Sequence, residues 1–377
     1  MSRSRPTPEL QLTWDQVLSW RVDKQLLPDP LPDALRVIST LGGVQVQLAS
    51  AAIQVIAIRS TSVPDLDRLL WEERSLVKTW VMRGTLHLLP ADELGTWIAA
   101  LRQREWRITP AWEKYHGVTK AQLEAITAAI PLVVSDAPQT REELAEAIVA
   151  RVGDPGLGEA LSSGWSQVLK PAANQGLLAQ GPPRGQNVTF VDPRRWLADA
   201  PAEPEPEVAM RTVIERFLDS NGPATTEDFA RWLGLSPKSG RELMSPHLDD
   251  LVPVSVEGDV HWLTAAGAKA AAGAAPVAGV YLLPGFDPYT LAPISHRRHT
   301  IPPGKVDRVS RTAGQIAPVI LEGGRIIGTW ESGKDEVIRL QPFAGLSKAQ
   351  LASIRDHVEH RYQGLLGSPD LMVSDAP

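Results

Sequence analysis

Two glutamines separated by one valine, Gln45-Val46-Gln47, follow a paired-glycine break at Gly42-Gly43. They sit between two apolar runs, residues 31–41 and 49–58, and no Asp, Glu, His or Cys adjoins them. A neutral amide cannot take a proton at neutral pH, so this pair is no general base. Each amide can accept a hydrogen bond from a water on its carbonyl oxygen and donate through its NH₂. Chemistry at such a pair is therefore the positioning of water and substrate. On residue types alone a structural role is favoured, in which the amides cap a helix or pair with backbone. The chain offers little in competition. It has no cysteine, which excludes disulfides, thiol nucleophiles and cysteine metal sites. Its eight histidines show no HxxxH or HExxH spacing, and no DxDxDG, GxGxxG or GxxxxGK[ST] loop occurs. No metal and no cofactor is expected. Asp287, in Leu283-Pro284-Gly285-Phe286-Asp287-Pro288-Tyr289, is a candidate carboxylate, but a turn-forming role is favoured for it.

The elements around the glutamines read as three helices and a hairpin. Thr13 is an N-cap for a helix over residues 14–27, which Pro28-Asp29-Pro30 ends, and a second helix follows from Pro32 to the glycine break. The apolar spacing of Leu48, Ala52, Val55 and Ile56 predicts a helix over 45–59, and residues 66–73 a further short one. Residues 77–89 then change period, giving two strands around Arg83-Gly84. A helix over about 91–107 carries Arg102, Arg104 and Arg107, read as a solvated face or as phosphate contacts.

Residues 119–196 and 207–264 repeat one order: a helix, a capped helix, a third helix and a hairpin. The capping boxes are Thr140 with Glu143 and Thr225 with Asp228. This order is that of a winged helix-turn-helix. The third helices are expected over 157–174 and 237–248. They carry only Lys170, and Lys238 with Arg241, which makes neither a convincing groove reader. The tip of the second wing, Arg184, and Arg194-Arg195 are better phosphate candidates. The Pro- and acid-rich residues 199–207 read as a linker, and residues 265–275 as helical or loose. From residue 277 short strands with glycine turns predict a small antiparallel barrel or sheet, including 336–340 and a tight turn at Glu322-Gly323-Gly324-Arg325. A last helix spans 349–364 and the tail is expected to fray. The fold class is α+β, with domains at 10–115, 116–198, 207–270 and 276–365.

The net charge is −6, mildly against a nucleic-acid binder, but distribution matters more than the sum. The densest basic stretch, read as a long loop, runs His296, Arg297, Arg298, His299, then Lys305, Arg308 and Arg311. It is either a solvated loop or a phosphate clamp whose grip would fall steeply with salt. The twelve tryptophans are assigned to packing, with base stacking as the rival reading. No apolar run is long enough to span a bilayer, and no secretion signal is read at the N-terminus, so a cytoplasmic location is expected; a monomer is expected as well.

The Val77 to Leu88 segment with Arg83-Gly84-Thr85-Leu86-His87, the Leu283 to Tyr289 segment, and the stretch from Arg311 to Trp330 resemble one family. They are similar to the actinobacterial winged-helix proteins that include AlkZ-type DNA glycosylases, over most of the chain from about Leu12 to the last helix. The resemblance implies three tandem winged helices around a β-barrel domain, forming a concave surface for double-stranded DNA. It implies a catalytic signature Gln-Φ-Gln, with Φ apolar, which falls on Gln45-Val46-Gln47. It further implies a monofunctional glycosylase that excises N7-alkylguanine and unhooks interstrand crosslinks, in repair or in self-resistance to a genotoxic product. Arg83, His87, Arg184 and the basic stretch would then contact DNA. An N7-alkylated purine is already cationic and leaves without protonation, so neutral amides suit it. The rival readings are a non-catalytic DNA-binding protein, as a regulator or drug-sequestering paralogue, and a structural interaction module.

Overall fold

Local chemistry starts and stops most elements where the sequence places them. A computed structural model of the chain describes residues 8, 10–104, 106, 108–164, 167–198, 202–291, 293–333 and 337–374. The fold is α+β. Two compact units divide it, one of residues up to 64 together with 214 onward, the other of residues 65–213. The expected 10–115 segment is thus divided after residue 64, its first three helices lying in one unit and its hairpin, with the helices from Arg68 onward, in the other.

In the first unit, Thr13 caps helix Trp14–Lys24 in a capping box with Gln16. A strand the sequence did not announce, Leu10–Leu12, pairs in parallel with Val252–Val256, whose antiparallel partner is Asp259–Leu263. The N-terminus therefore extends the hairpin expected in the third module. Leu12, Trp14 and Val17 share one apolar cluster with Val254, Val256 and Leu263, which explains the register.

The second sheet of this unit is a half-barrel of five strands. Their order is Val280–Leu283, Val319–Glu322, Arg325–Ser332, Val337–Pro342 and Asp370–Val373. The first four run antiparallel, as expected; the last lies parallel to its neighbour. The tail expected to fray thus supplies an edge strand through residue 373, while Glu336 and residues 375–377 lie outside the described residues. Ser347 caps helix Lys348–Arg361, whose Ile354 and Val358 join the sheet core. The tight turn falls on Gly323 and Gly324, both at positive φ. A Cβ at Gly324 would stand 2.6 Å from Leu18 Cβ, so only glycine fits there.

In the second unit the hairpins Leu76–Trp80 with Leu86–Pro90, and Ala179–Arg184 with Asn187–Val191, share one sheet through Lys78 and Gln180. Strand Gln139–Thr140 pairs with the far side of Asn187–Val191. Their core takes Trp80, Phe190, Leu123, Ile126 and Ile148. The continuous third helix expected over 157–174 is not formed. It is broken into Gly158–Ser162, a turn Gln167–Leu169 and a short helix Lys170–Asn174. Pro171 explains the last break: it lacks an N–H and fits only the first turn of a new helix. Of the expected linker, residues 199–201 lie outside the described residues. The rest is tied down, since Glu203 pairs with Arg102 and Gln103 Nε2 donates to Pro206 O at 2.6 Å.

Candidate functional site

The glutamine stretch is set by the paired glycines. Gly42 N–H donates to Ser39 O at 3.0 Å and Gly43 N–H to Ile38 O at 2.8 Å, closing helix Ala34–Thr40 with the two bonds of a Schellman motif. Both glycines take positive φ, and a Cβ at Gly42 would press on the Trp232 ring at 3.3 Å. The chain leaves this turn extended, with Val44–Gln45 a short strand and Leu48 still extended at φ −120°. The helix expected over 45–59 begins only at Ala49, because β-branched Val44 and Val46 favour the extended backbone that Gly43 delivers. Gln45 is buried, Val46 is buried and Gln47 is exposed.

This placement bears on the structural reading of the pair. The N-cap of helix Ala49–Ala57 is Leu48, and no side chain caps it. Neither glutamine is at the capping position. Gln45 engages a partner within the chain. Gln47 stands exposed on the residue before an uncapped helix start, where first-turn N–H groups and the helix dipole favour an anion.

The basic candidates divide sharply. The loop expected around residues 295–311 is two short helices, Ile294–Thr300 and Val306–Val309. His296 is fully buried there and hydrogen-bonds Pro223 O through Nε2 at 2.7 Å, so it is withdrawn as a DNA contact. Burial, the nearby Arg21 charge and its neighbours hold it well below the usual histidine pKa. His87 is corrected for the same reason. It is 2% exposed, its Nδ1 bonds Thr85 O at 2.9 Å, and burial with the Arg83 charge depresses its pKa to about 3. Arg184 is exposed but committed, donating to Glu143 Oε1 at 2.5 Å and Pro138 O at 2.6 Å. Arg194 and Arg195 are likewise held by Asp192, and Arg195 also by Asp136. Arg102 pairs with Glu203, and Arg107 lies outside the described residues.

The remaining candidates stay at the surface. Arg298 and Arg311 are exposed, while Arg297, His299, Lys305 and Arg308 are half-buried. Arg297 bonds Ser310 Oγ, His299 stacks on Trp14 with ring centroids 3.9 Å apart, and Lys305 lies 5.5 Å over Phe343. Arg83 occupies the hairpin tip at φ +54°, a left-handed conformation rare outside glycine.

Asp287 turns out to be structural. It forms the turn, accepting from Tyr289 N–H at 2.9 Å, and it also receives both terminal nitrogens of Arg59 at 2.8 Å. Both side chains are fully buried, and Arg59 Nε donates to Gln25 O at 2.7 Å, so the guanidinium is satisfied on every edge. The sequence signalled the turn but not its partner. A second buried cation, Lys170, was set aside as a poor groove reader and is only 8% exposed. No group of His, Cys, Asp or Glu among the described residues is arranged to hold a metal, and no described helix is long and apolar enough to cross a membrane.

The family model described as DNA glycosylase AlkZ-like matches residues 38–363. The chain is 36% identical over 358 residues to the interstrand DNA cross-link repair glycosylase of Streptomyces sahachiroi, covering 93% of this chain and 96% of that protein. The solved structure of the Streptomyces sahachiroi DNA glycosylase AlkZ superposes with a TM-score of 0.87 at 34% identity, covering 97% of this chain and all of the other. The chain belongs to the AlkZ-like DNA glycosylase family.

Proposed function

We propose that this DNA glycosylase hydrolyses the N-glycosidic bond of N7-alkylated purines in double-stranded DNA, with Gln45 and Gln47 as its catalytic amides. The observation that supports it most is the Gln45-Val46-Gln47 stretch within the family-matched segment, with Gln47 exposed and Leu48, not a glutamine, at the helix cap. The cross-link repair named for the relative from Streptomyces sahachiroi extends the proposal to unhooking interstrand crosslinks of this chemistry.

The chemistry follows from the leaving group. An N7-alkylguanine carries a positive charge, so its bond to C1′ breaks with the electron pair passing to N9, which neutralises the base. The sugar is left as an oxocarbenium ion. Water adds at C1′ and its proton passes to solvent. A glutamine carbonyl accepts a hydrogen bond from that water, and a glutamine NH₂ holds a DNA oxygen. Positioned neutral dipoles of this kind lower the barrier without any proton transfer. An unmodified base or uracil, lacking the charge, would be a poor substrate.

The surface cations Arg83, Arg297, Arg298, His299, Lys305, Arg308 and Arg311 are the proposed backbone contacts. The winged-helix reading, with modules at 10–115, 116–198 and 207–270 and the barrel-like domain at 276–365, belongs to the same proposal. It is supported by the capping boxes at Thr140 and Thr225 and the hairpins that follow them. The protein is proposed to act as a monomer.

The test is release of N7-methylguanine from methylated duplex DNA, and of unhooked strands from a crosslinked duplex. Gln45→Ala and Gln47→Ala are each expected to lower the single-turnover rate on the order of 10²-fold, the scale of one lost positioned dipole, with DNA binding retained. Wild type and both variants equally silent over a broad adduct panel would leave a non-catalytic DNA-binding protein instead.

A further inference from the structure

Leu48 directly follows the exposed amide Gln47, and its own side chain is 51% exposed. A single exposed leucine is ordinary on a protein surface. Its position here is not. Leu48 is the N-cap of helix Ala49–Ala57, entered at φ −120° and ψ 118°, and no side chain satisfies the first-turn N–H groups. Asp33 starts helix Ala34–Thr40 from nearly the same backbone, φ −122° and ψ 123°, and its carboxylate accepts from Leu35 N–H at 2.8 Å. The backbone at residue 48 therefore suits a capping Asp or Asn, which would stabilise the helix. Leucine there gives up the cap and leaves half of an apolar side chain in water. Both losses fall on the residue beside a proposed catalytic amide. Local folding does not account for that choice, and a contact made with the substrate does.

The surroundings say what that contact is. Ala49 and Ser50 are exposed too, and neither is bulky or charged. Leu48 is thus the large apolar side chain of an exposed run, residues 47–50. No acidic residue stands between Asp33 and Asp65, so the run itself sets no carboxylate against a phosphate backbone. Apolar side chains of this size enter duplex DNA between base steps from the minor groove and unstack them. The C1′ atoms, where glycosidic bonds break, border that groove.

We propose that Leu48 is a wedge that enters the base stack of double-stranded DNA next to the alkylated purine and so places its C1′ against Gln47. The inference rests on the glycosylase reading, with Gln47 as one of its amides. Leu48 is a positioning residue: it moves no proton and makes no hydrogen bond. The base stack supplies the apolar cover that the side chain lacks in the free protein.

The test uses the full chain as wild type, Leu48→Asn and Leu48→Met. Asparagine is neutral and restores a cap, so it leaves the charge facing DNA unchanged and should hold or raise the thermal midpoint. The first readout is the fluorescence of 2-aminopurine placed beside a 2′-fluoro N7-methylguanine, a nucleotide whose glycosidic bond resists hydrolysis. Wild type and Leu48→Met are expected to unstack and brighten the probe, and Leu48→Asn is not. The second readout is single-turnover release of N7-methylguanine from duplex DNA. Leu48→Asn should be slower by roughly 10- to 100-fold, the scale of a misplaced reacting centre. It should recover most of that loss when the adduct sits in a mismatched pair, which unstacks at less cost. Leu48→Met, of similar volume, should stay within about threefold of wild type. Equal brightening by wild type and Leu48→Asn, or none by wild type, overturns the wedge. So does a Leu48→Asn that unfolds below wild type, since the leucine would then be packing. The probe needs no base release, so the two readings fail separately. A wild type that brightens it yet frees no base sinks the glycosylase reading and keeps the wedge as a DNA contact. An active wild type that Leu48→Asn matches in rate and fluorescence sinks the wedge alone.

Discussion

Two buried cations in this molecule live under opposite conditions. Arg59, in the first unit, gives both terminal nitrogens to Asp287 and its Nε to a backbone carbonyl. Lys170, in the second unit, has a cation for a neighbour and no acidic partner among the described residues. The first is closed by its partners and the second is buried without a counter-charge. Arg21 tests the distinction, since its Nε and Nη1 are also unpartnered. It is 0% exposed, lies 4.2 Å over the Tyr289 ring and donates to Tyr289 O at 3.2 Å, with the charges of Asp228 and Asp287 acting on it. Burial holds its pKa below the ordinary arginine value, but the charges that act on it are negative, so it sides with Arg59. What separates Lys170 from both arginines is thus the sign of its neighbours, not burial alone.

The largest effect expected from this contrast is on stability. Asp287→Ala leaves Arg59 buried without its carboxylate, a change that costs about 3–5 kcal/mol, measured by chemical denaturation. The double variant Arg59→Met with Asp287→Leu is expected to recover most of that loss, because a matched apolar pair carries no stranded charge. A double variant no better than Asp287→Ala would mean that the turn hydrogen bond to Tyr289, not the ion pair, holds the Leu283 to Tyr289 segment.

Acid should produce in the first unit the condition that Lys170 already has in the second. His357 is buried and its Nε2 approaches Leu282 O at 3.3 Å; burial first, then the Arg361 and Arg59 charges, depress its pKa to about 3. His296 is depressed in the same direction. A histidine with a lowered folded pKa is neutral in the fold but protonated in the unfolded chain below its ordinary value. Its contribution is complete above about pH 6.5 and is lost as the pH falls from there towards 3. Stability is therefore expected to fall by on the order of 2–4 kcal/mol per such histidine across that window. His357→Gln should flatten the pH dependence of the unfolding midpoint. A midpoint equally steep in that variant would place the acid sensitivity elsewhere.

Which features were legible in the sequence follows the same divide between local and distant. The caps at Thr13, Thr140 and Thr225, the Gly42-Gly43 stop and the Gly323-Gly324 turn all act over four or five residues, and each is where the chain places it. Pairings across hundreds of residues left no such trace. Leu10 pairs with Val254, and Arg59 with Asp287, by contacts that only the assembled core creates. Two site residues fail for that reason: His296 reads as a surface cation in a basic stretch and His87 as a DNA contact that the resemblance implies, and only burial removes them. The burial of Lys170 beside another cation was not legible either, because Arg104 lies far away in sequence. The glutamine pair was legible as a motif, while the identity of the helix cap was not, since an apolar Leu48 carries no capping signal.

The smallest effect is the most discriminating. If Lys170 is an uncompensated cation, removing its charge should stabilise the free protein. At neutral pH the ammonium is charged in both states, and its folded pKa, lowered to about 8, means that burial disfavours it. Lys170→Met should then gain roughly 1–2 kcal/mol after allowance for solvent screening. The sign against pH is definite. In wild type the penalty is complete below pH 8 and is relieved as the pH rises towards 10.5, because the folded lysine sheds its proton before the unfolded one does. The advantage of Lys170→Met in urea denaturation should therefore shrink over that range. A variant less stable than wild type at pH 7 would mean that Lys170 is held by favourable contacts, and the two cations would no longer differ in kind.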